Sequence, residues 1–181
     1  MLDPNIYLKV DPPEAIEPSN GPDVYIERIL DAGGEVVVSE ESVLTVPEMK
    51  VLILGALGKS VSETARQLHM TPNTVKTQRS RIFGKLDASG METSVDTAFQ
   101  DEIWSVTVPG QPVTVTDREH EVLGLFSDGH SEAEAADILE ISPHTVNTHS
   151  DNLLVKLSAR NRAHAVFLGY VRGLLTDTSA G

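Results

Sequence analysis

One stretch of this chain occurs twice, 71 residues apart and with no gap between the copies. Thr45 and Glu48 return as Thr116 and Glu119, and Ser60 and Glu63 as Ser131 and Glu134. Ala65 and Leu68 match Ala136 and Leu139, and Pro72, Thr74 and Val75 match Pro143, Thr145 and Val146. Lys85 and Leu86 match Lys156 and Leu157. Chance does not hold caps, apolar positions and a helix-opening proline in one register. Whatever residues 45–86 fold into, residues 116–157 fold into again.

The unit reads as helices. Thr45 with Glu48, and Ser60 with Glu63, are capping boxes, and Pro47 and Pro72 fit first helical turns. Met49, Leu52, Ile53, Leu54, Ala56 and Leu57 give the first helix its apolar positions, ending near Gly58. A short second helix through Ala65 and Leu68 reaches a tight turn at His69-Met70, and Thr71 caps the third. Three short helices, the last two joined by a few residues, follow helix-turn-helix grammar. A fourth is expected near residues 92–100. With Val75 as zero and about 100° per residue, Gln78, Arg79, Ile82 and Leu86 fall within about 60° of it. Lys76, Thr77, Ser80, Arg81 and Gly84 lie on the other side. They are the polar, basic or small side chains that a helix entering the DNA major groove needs. An ordinary amphipathic surface helix would show the same wheel; the preceding helices and the recurrence favour the first reading.

The repeat extends further back on fewer positions. Val24, Val95 and Val166 are also spaced by 71. A strand-like piece is expected around residues 104–108, and the pieces at residues 35–39 and 106–110 each precede a first helix. Before them, residues 1–21 read as loop with a short strand at residues 5–10. Pro22 opens a helix stopped by Gly33-Gly34. The expected division is an acidic leader at 1–43, a first module at 44–100, a linker at 101–114, a second module at 115–175 and a tail at 176–181. Trp104 is expected to anchor the linker in the core.

Charge separates the copies. The net charge of −13 opposes simple nucleic-acid binding. Residues 1–43 carry −8, residues 44–99 carry +2, residues 100–114 carry −2 and residues 115–181 carry −5. Only the first helical block is positive, and phosphate binding depends on Lys and Arg. The chain has no cysteine, which excludes disulfides and thiolate metal sites and suits a reducing cytoplasm. No apolar run is long enough to cross a membrane, and the N-terminus lacks signal-peptide character. His120, His130, His144, His149 and His164 form no His-x-x-x-His pair, so no metal is expected. No nucleophile elbow, phosphate loop or dinucleotide fingerprint is present, and neither a catalytic site nor a cofactor is expected.

Both copies resemble the LuxR/FixJ/NarL-type helix-turn-helix domain. The second gives VTDREHEVLGL, GHSEAEAADIL, SPHTVNTH and KL; the first gives LTVPEMKVLIL, GKSVSETARQL, TPNTVKTQ and KL. The resemblance implies a mainly α fold of two tandem GerE-like four-helix modules, with short strand-like segments in leader and linker. It implies a cytoplasmic, non-enzymatic transcription regulator whose partner is double-stranded DNA. In the family such domains usually follow a receiver or signal-binding domain, and often dimerise through the fourth helix. Here one copy can stand in for the partner, as a covalent pseudo-dimer reading two half-sites or as one reading and one interaction copy. A homodimer of the whole chain stays open.

The expected DNA contacts in the first copy are Lys76, Thr77, Ser80 and Arg81 on the groove side. Thr71 and Thr74 lie at the helix N-terminus, where hydroxyls and amides bind phosphate, and Arg79 and Lys85 are peripheral phosphate contacts. The matching set in the second is Thr145, Asn147, Thr148 and Asp151. The copies depart from the family in different places. Gln78 stands where the family usually has His, while His149 keeps it; Lys76 is kept, while Asn147 replaces it. Arg79 and Arg81 become Ser150 and Asn152. Asp151 can accept from a cytosine amino group but repels phosphate. Arg160 and Arg162 are expected either at backbone phosphate or as solvated charges. The alternative reading is an acidic protein-interaction module on the same fold. Leu154 and Val155, facing out beside Asp151, would then meet RNA polymerase or another regulator. A promoter-recognition relative of the last region of sigma factors is a variant of the DNA reading.

Overall fold

The computed structural model describes residues 35–39, 42–107 and 113–176. The strand expected at residues 5–10, the helix expected after Pro22 and the repeat position at Val24 lie outside the described residues. Two strands and eight helices follow in the order β1 (Glu35–Val38), α1 (Val46–Ala56), α2 (Val61–Gln67), α3 (Pro72–Lys85), α4 (Met91–Gln100), β2 (Trp104–Thr107), α5 (Asp117–Ser127), α6 (Glu132–Leu139), α7 (Pro143–Leu157) and α8 (Arg162–Val171). The helices start where the caps require. Ser60, Thr116 and Ser131 each accept the backbone N–H of the glutamate three residues on, and that glutamate returns to the cap N–H. At Thr45 the Glu48 carboxylate takes both the backbone N–H and the hydroxyl, each at 2.8 Å.

The backbone repeats more faithfully than the sequence. The left-handed residues of the first unit are Gly58, His69, Asp87 and Glu102. Those of the second are Gly129, Glu140, Ser158 and Gly173, each 71 further on. Only the first pair is glycine in both copies. Elsewhere the turn is kept although the side chain differs, so the helix-to-helix geometry, rather than one residue's preference, holds the left-handed step.

β1 and β2 form one antiparallel ladder, with Val36 opposite Val106 and Glu35 opposite Thr107. Moving each partner by 71, one forward and one back, converts the Val36–Val106 pair into the Thr107–Glu35 pair. The ladder therefore maps onto itself under the repeat. The same exchange governs the helices: α4 packs on α8, and α1 on α8 is matched by α5 on α4. Reciprocal contacts of this kind are the mark of a two-fold-like interface. They also explain α1, whose Val51, Leu52, Ile53, Leu54 and Ala56 are all buried. A helix apolar on every side needs cover on every side, and α1 has α2, α3, α4 and α8 around it.

One hydrophobic core runs through both units. At its centre Phe99 stacks on Tyr170, with ring centroids 4.4 Å apart and planes 12° from parallel, and the two residues are repeat mates. Phe167 and Trp104 complete the cluster, Trp104 meeting Phe99 edge-on at 5.6 Å. Trp104 is 2% exposed, as its sequence position suggested. Tyr170 Oη donates to Asp96 Oδ1 at 2.6 Å and accepts from Gln100 Nε2 at 2.8 Å. Burial raises the Asp96 carboxyl, an effect the Tyr170 hydrogen bond opposes. Asn161 Nδ2 donates to the Gly58 carbonyl at 3.3 Å, and Arg160 pairs with Glu63 at 3.4 Å. Arg162 reaches Glu132 at 3.3 Å and Glu92 at 3.5 Å, with its guanidinium 4.7 Å above the Phe126 ring. Arg160 and Arg162, expected at phosphate or in solvent, instead tie the two units together.

His164 sits in the same contact zone and its Nδ1 accepts the Arg160 backbone N–H at 3.1 Å. Burial, then the charges of Arg160, Arg172 and Lys59, push its pKa down to about 4. The unfolded chain therefore binds a proton near pH 6.5 that the folded chain refuses until about 4. The stability contributed by the neutral ring is full above the first value and is lost as pH falls toward the second. A urea-unfolding series across that window should fall with acid, and His164→Thr, which installs the residue found at position 93, should flatten it. Equal slopes in the two proteins would contradict this.

Candidate nucleic-acid interface

α3 is fixed at both ends and along its inner side. Thr71 Oγ1 accepts the Thr74 N–H at 3.1 Å and lies 2.9 Å from the Thr74 hydroxyl. Val75 and Ile82 are fully buried. At the C-terminal end, Lys85 Nζ donates to Glu48 Oε2 at 2.7 Å and to the Val43 carbonyl at 3.0 Å. α7 is held in the same way: Ser142 caps through Thr145, and Lys156 Nζ meets Glu119 Oε2 at 2.6 Å. Burial pushes Glu48 and Glu119 up, but the lysine, the threonine N–H and the threonine hydroxyl outweigh it, and both carboxyls end below the ordinary glutamate value. Each pair therefore bolts the end of a third helix to the start of a first helix.

What faces outward is what the wheel predicted. Lys76, Thr77, Ser80, Arg81 and Gly84 are exposed along α3, and Asn147, Thr148, Asp151, Asn152 and Val155 are exposed along α7. Thr71 and Thr74 are exposed at the α3 N-terminus, and Thr145 is half-buried. Thr77 and Thr148 each bond the carbonyl four residues back, at 3.0 Å, which fixes their rotamers. Among the described residues, Lys76 and Arg81 have no ion-pair partner, so their charges point into open solvent. The two stripes occupy equivalent places and differ in chemistry. Two cations on α3 stand where α7 has two amides, and α7 adds a carboxylate. Gly84, where an added Cβ would meet nothing within 4 Å beyond its own helix backbone, is matched by Val155, which is 78% exposed.

Two residues expected at phosphate are placed otherwise. Arg79 is half-buried, and its Nη2 donates to the Lys59 carbonyl at 3.1 Å. Burial weakens its hold on the proton, and Glu92 acts in the opposite sense. Lys85 is the bolt to Glu48 described above. The wheel put Arg79 on the flank of the core side, yet its charge suggested solvent; geometry followed the wheel. The Lys–Glu bolts were not read from the sequence. The signal was there, since both glutamates precede their lysines by 37 residues.

The profile of the bacterial regulatory proteins of the luxR family matches residues 42–98 and again residues 113–168. The two matches cover more than half of the chain, and the chain belongs to that family. It is 41% identical over 68 residues to the transcriptional activator protein SolR of Ralstonia solanacearum, which is 38% of this chain and 29% of SolR. It is 41% identical over 64 residues to the quorum-sensing regulator RhlR of Pseudomonas aeruginosa, 35% of this chain and 27% of RhlR. The response regulator protein VraR of Staphylococcus aureus is 38% identical over 61 residues, 34% of this chain and 29% of VraR. The chain thus spans less than a third of the length of these curated relatives. No solved structure matches it. Among the described residues no group of three His, Cys, Asp or Glu is placed to hold a metal ion, and no helix is long and apolar enough to cross a membrane.

Proposed function

We propose that the chain is a DNA-binding transcription regulator whose two modules act as a covalent pseudo-dimer, the first supplying most of the affinity. The observation that carries this is the exposed stripe of α3, where Lys76 and Arg81 stand without an ion-pair partner among the described residues, beside Thr77 and Ser80, on a helix whose other side is locked to the core. A rigid helix with free cations and short polar side chains on one side meets the needs of major-groove entry. The reciprocal α4·α8, α1·α8 and α4·α5 contacts support the pseudo-dimer, because they already occupy the surfaces a second copy would use. On α7 the exposed Val155 beside Asp151 favours a second role for that helix, docking another regulator or polymerase, if its DNA contribution proves nil.

A salt-series shift assay on random duplex DNA tests the reading. Binding should weaken steeply with salt, with about 0.9 in logarithmic slope for each phosphate neutralised. A complete absence of binding at low salt would refute it. The same assay probes the acidic N-terminal stretch. Residues 1–34 hold seven acids and two bases, a net −5, and stop short of β1. Removing them should raise affinity, most at low salt, where charges act across more than the ~8 Å screening length of physiological salt. Identical salt curves with and without residues 1–34 would show that this charge does not oppose DNA.

A further inference from the structure

We infer that the chain recognises a non-palindromic duplex site, one chain per site and in one direction. The inference rests on the DNA-binding reading and adds what the duplex must look like. Two independent observations lead to it.

The first is that the joint between the modules accepts only unlike halves. Asp96 of α4 faces Tyr170 of α8 and takes its hydroxyl at 2.6 Å. The repeat mate of Asp96 is Phe167, and that of Tyr170 is Phe99. These two mates meet in the reciprocal contact, with rings 6.0 Å apart. Pairing α4 with another chain's α4 would therefore set Asp96 against a phenylalanine, leaving a partly desolvated carboxylate without the hydroxyl it now accepts from. Pairing α8 with another α8 would set the Tyr170 hydroxyl against Phe167. Either arrangement strands a polar group that the intramolecular pairing satisfies. These two faces consequently select against a symmetric dimer built through α4 or α8, an assembly that would read a palindrome.

The second observation is the pair of recognition stripes. Lys and Arg favour the acceptors of guanine and phosphate oxygens, as Lys76 and Arg81 offer on α3. On α7, Asn147 and Asn152 offer the paired donor and acceptor that match adenine. Asp151 offers an acceptor for the cytosine amino group, and Val155 offers methyls for the thymine methyl. Both stripes are exposed along helices fixed by the same lysine–glutamate bolt, so they present different chemistry from equivalent frames. The site has one half that presents guanine edges to α3 and is gripped through phosphates, and one half that presents adenine, cytosine and thymine edges to α7 with few phosphate contacts. Its order fixes the orientation of the bound chain.

Selection of full-length chain on random duplexes at low salt, followed by footprinting and sedimentation of the complex, tests this. Two unlike half-motifs in constant order, with one chain per duplex, are expected. Inverting the second half-motif in place should weaken binding by about tenfold or more. A palindromic consensus, a single half-motif, or two chains per duplex would overturn the inference while leaving DNA binding intact. Failure to bind any duplex would overturn both. A DNA-free arm is separate: the full chain should sediment as a monomer up to its solubility limit, and a reversible symmetric dimer would overturn the inference.

Discussion

Lys76→Ala and Arg81→Ala should each weaken duplex binding by about 1–3 kcal/mol, the range for loss of a side chain that reaches a base edge. Both residues project from α3 into solvent, and neither is engaged within the described protein. Stability should not change, because Val75 and Ile82, which hold the helix, are untouched. The matching substitution Asn147→Ala should cost less, since an amide neutralises no phosphate. Asp151→Ser removes a charge that repels the backbone and should strengthen binding at low salt. If Asp151 reads cytosine, the same substitution relaxes the preference at one base pair. Fluorescence anisotropy with each variant decides the matter. A silent Lys76→Ala alongside an Asn147→Ala that abolishes binding would reverse the assignment of the two modules.

The second large effect is on the joint. Gly58→Ala and Gly129→Ala should each lower the free energy of unfolding by about 2–4 kcal/mol, combining the left-handed penalty with overpacking. Gly58 has φ of +74° and a Cβ there would lie 2.8 Å from Arg160 Cβ; Gly129 has φ of +86° and a Cβ would lie 2.6 Å from Thr93 Cγ2. Each glycine closes a first helix of one unit against the start of the fourth helix of the other, so relief requires the units to part. Gly124→Ala, where nothing lies within 4 Å, is the control and should be neutral or slightly stabilising. Urea midpoints give the comparison. Gly58→Ala or Gly129→Ala variants as stable as the Gly124→Ala control would mean that the contact is not tight.

Much of this architecture was legible because it was written twice. Caps such as Ser60–Glu63 and Ser131–Glu134 are local, needing only four residues to satisfy one another, and the sequence exposes them directly. The wheel of α3 sorted Val75 and Ile82 from Lys76 and Arg81 for the same reason. The β-branched run at residues 35–39 and the strand-like piece around residues 104–108 were visible in the sequence, and the observed β1 and β2 begin at residues 35 and 104. What pairs with what was not legible. β1 falls in the stretch read as leader and β2 in the stretch read as linker, and nothing local in either names the other as its partner. Arg160 and Arg162 read as phosphate contacts or solvated charges because their acidic partners, Glu63, Glu92 and Glu132, stand far away in sequence. Lys85 and Arg79 looked like free cations because a carboxylate or a carbonyl that captures them is set by packing, not by neighbours. Long-range polar contacts carry no periodicity, and that is where reading from the sequence stopped.

The stack of Phe99 on Tyr170 also sets a clock for synthesis. Tyr170 is made 71 residues after Phe99, which at ~5–20 residues/s is about 4–14 s. Until then α4 has no α8 to pack against. A second copy of the same face would offer Asp96 a phenylalanine in place of the Tyr170 hydroxyl. The first unit thus emerges with an apolar face that Phe167 and Tyr170 of the second unit cover later.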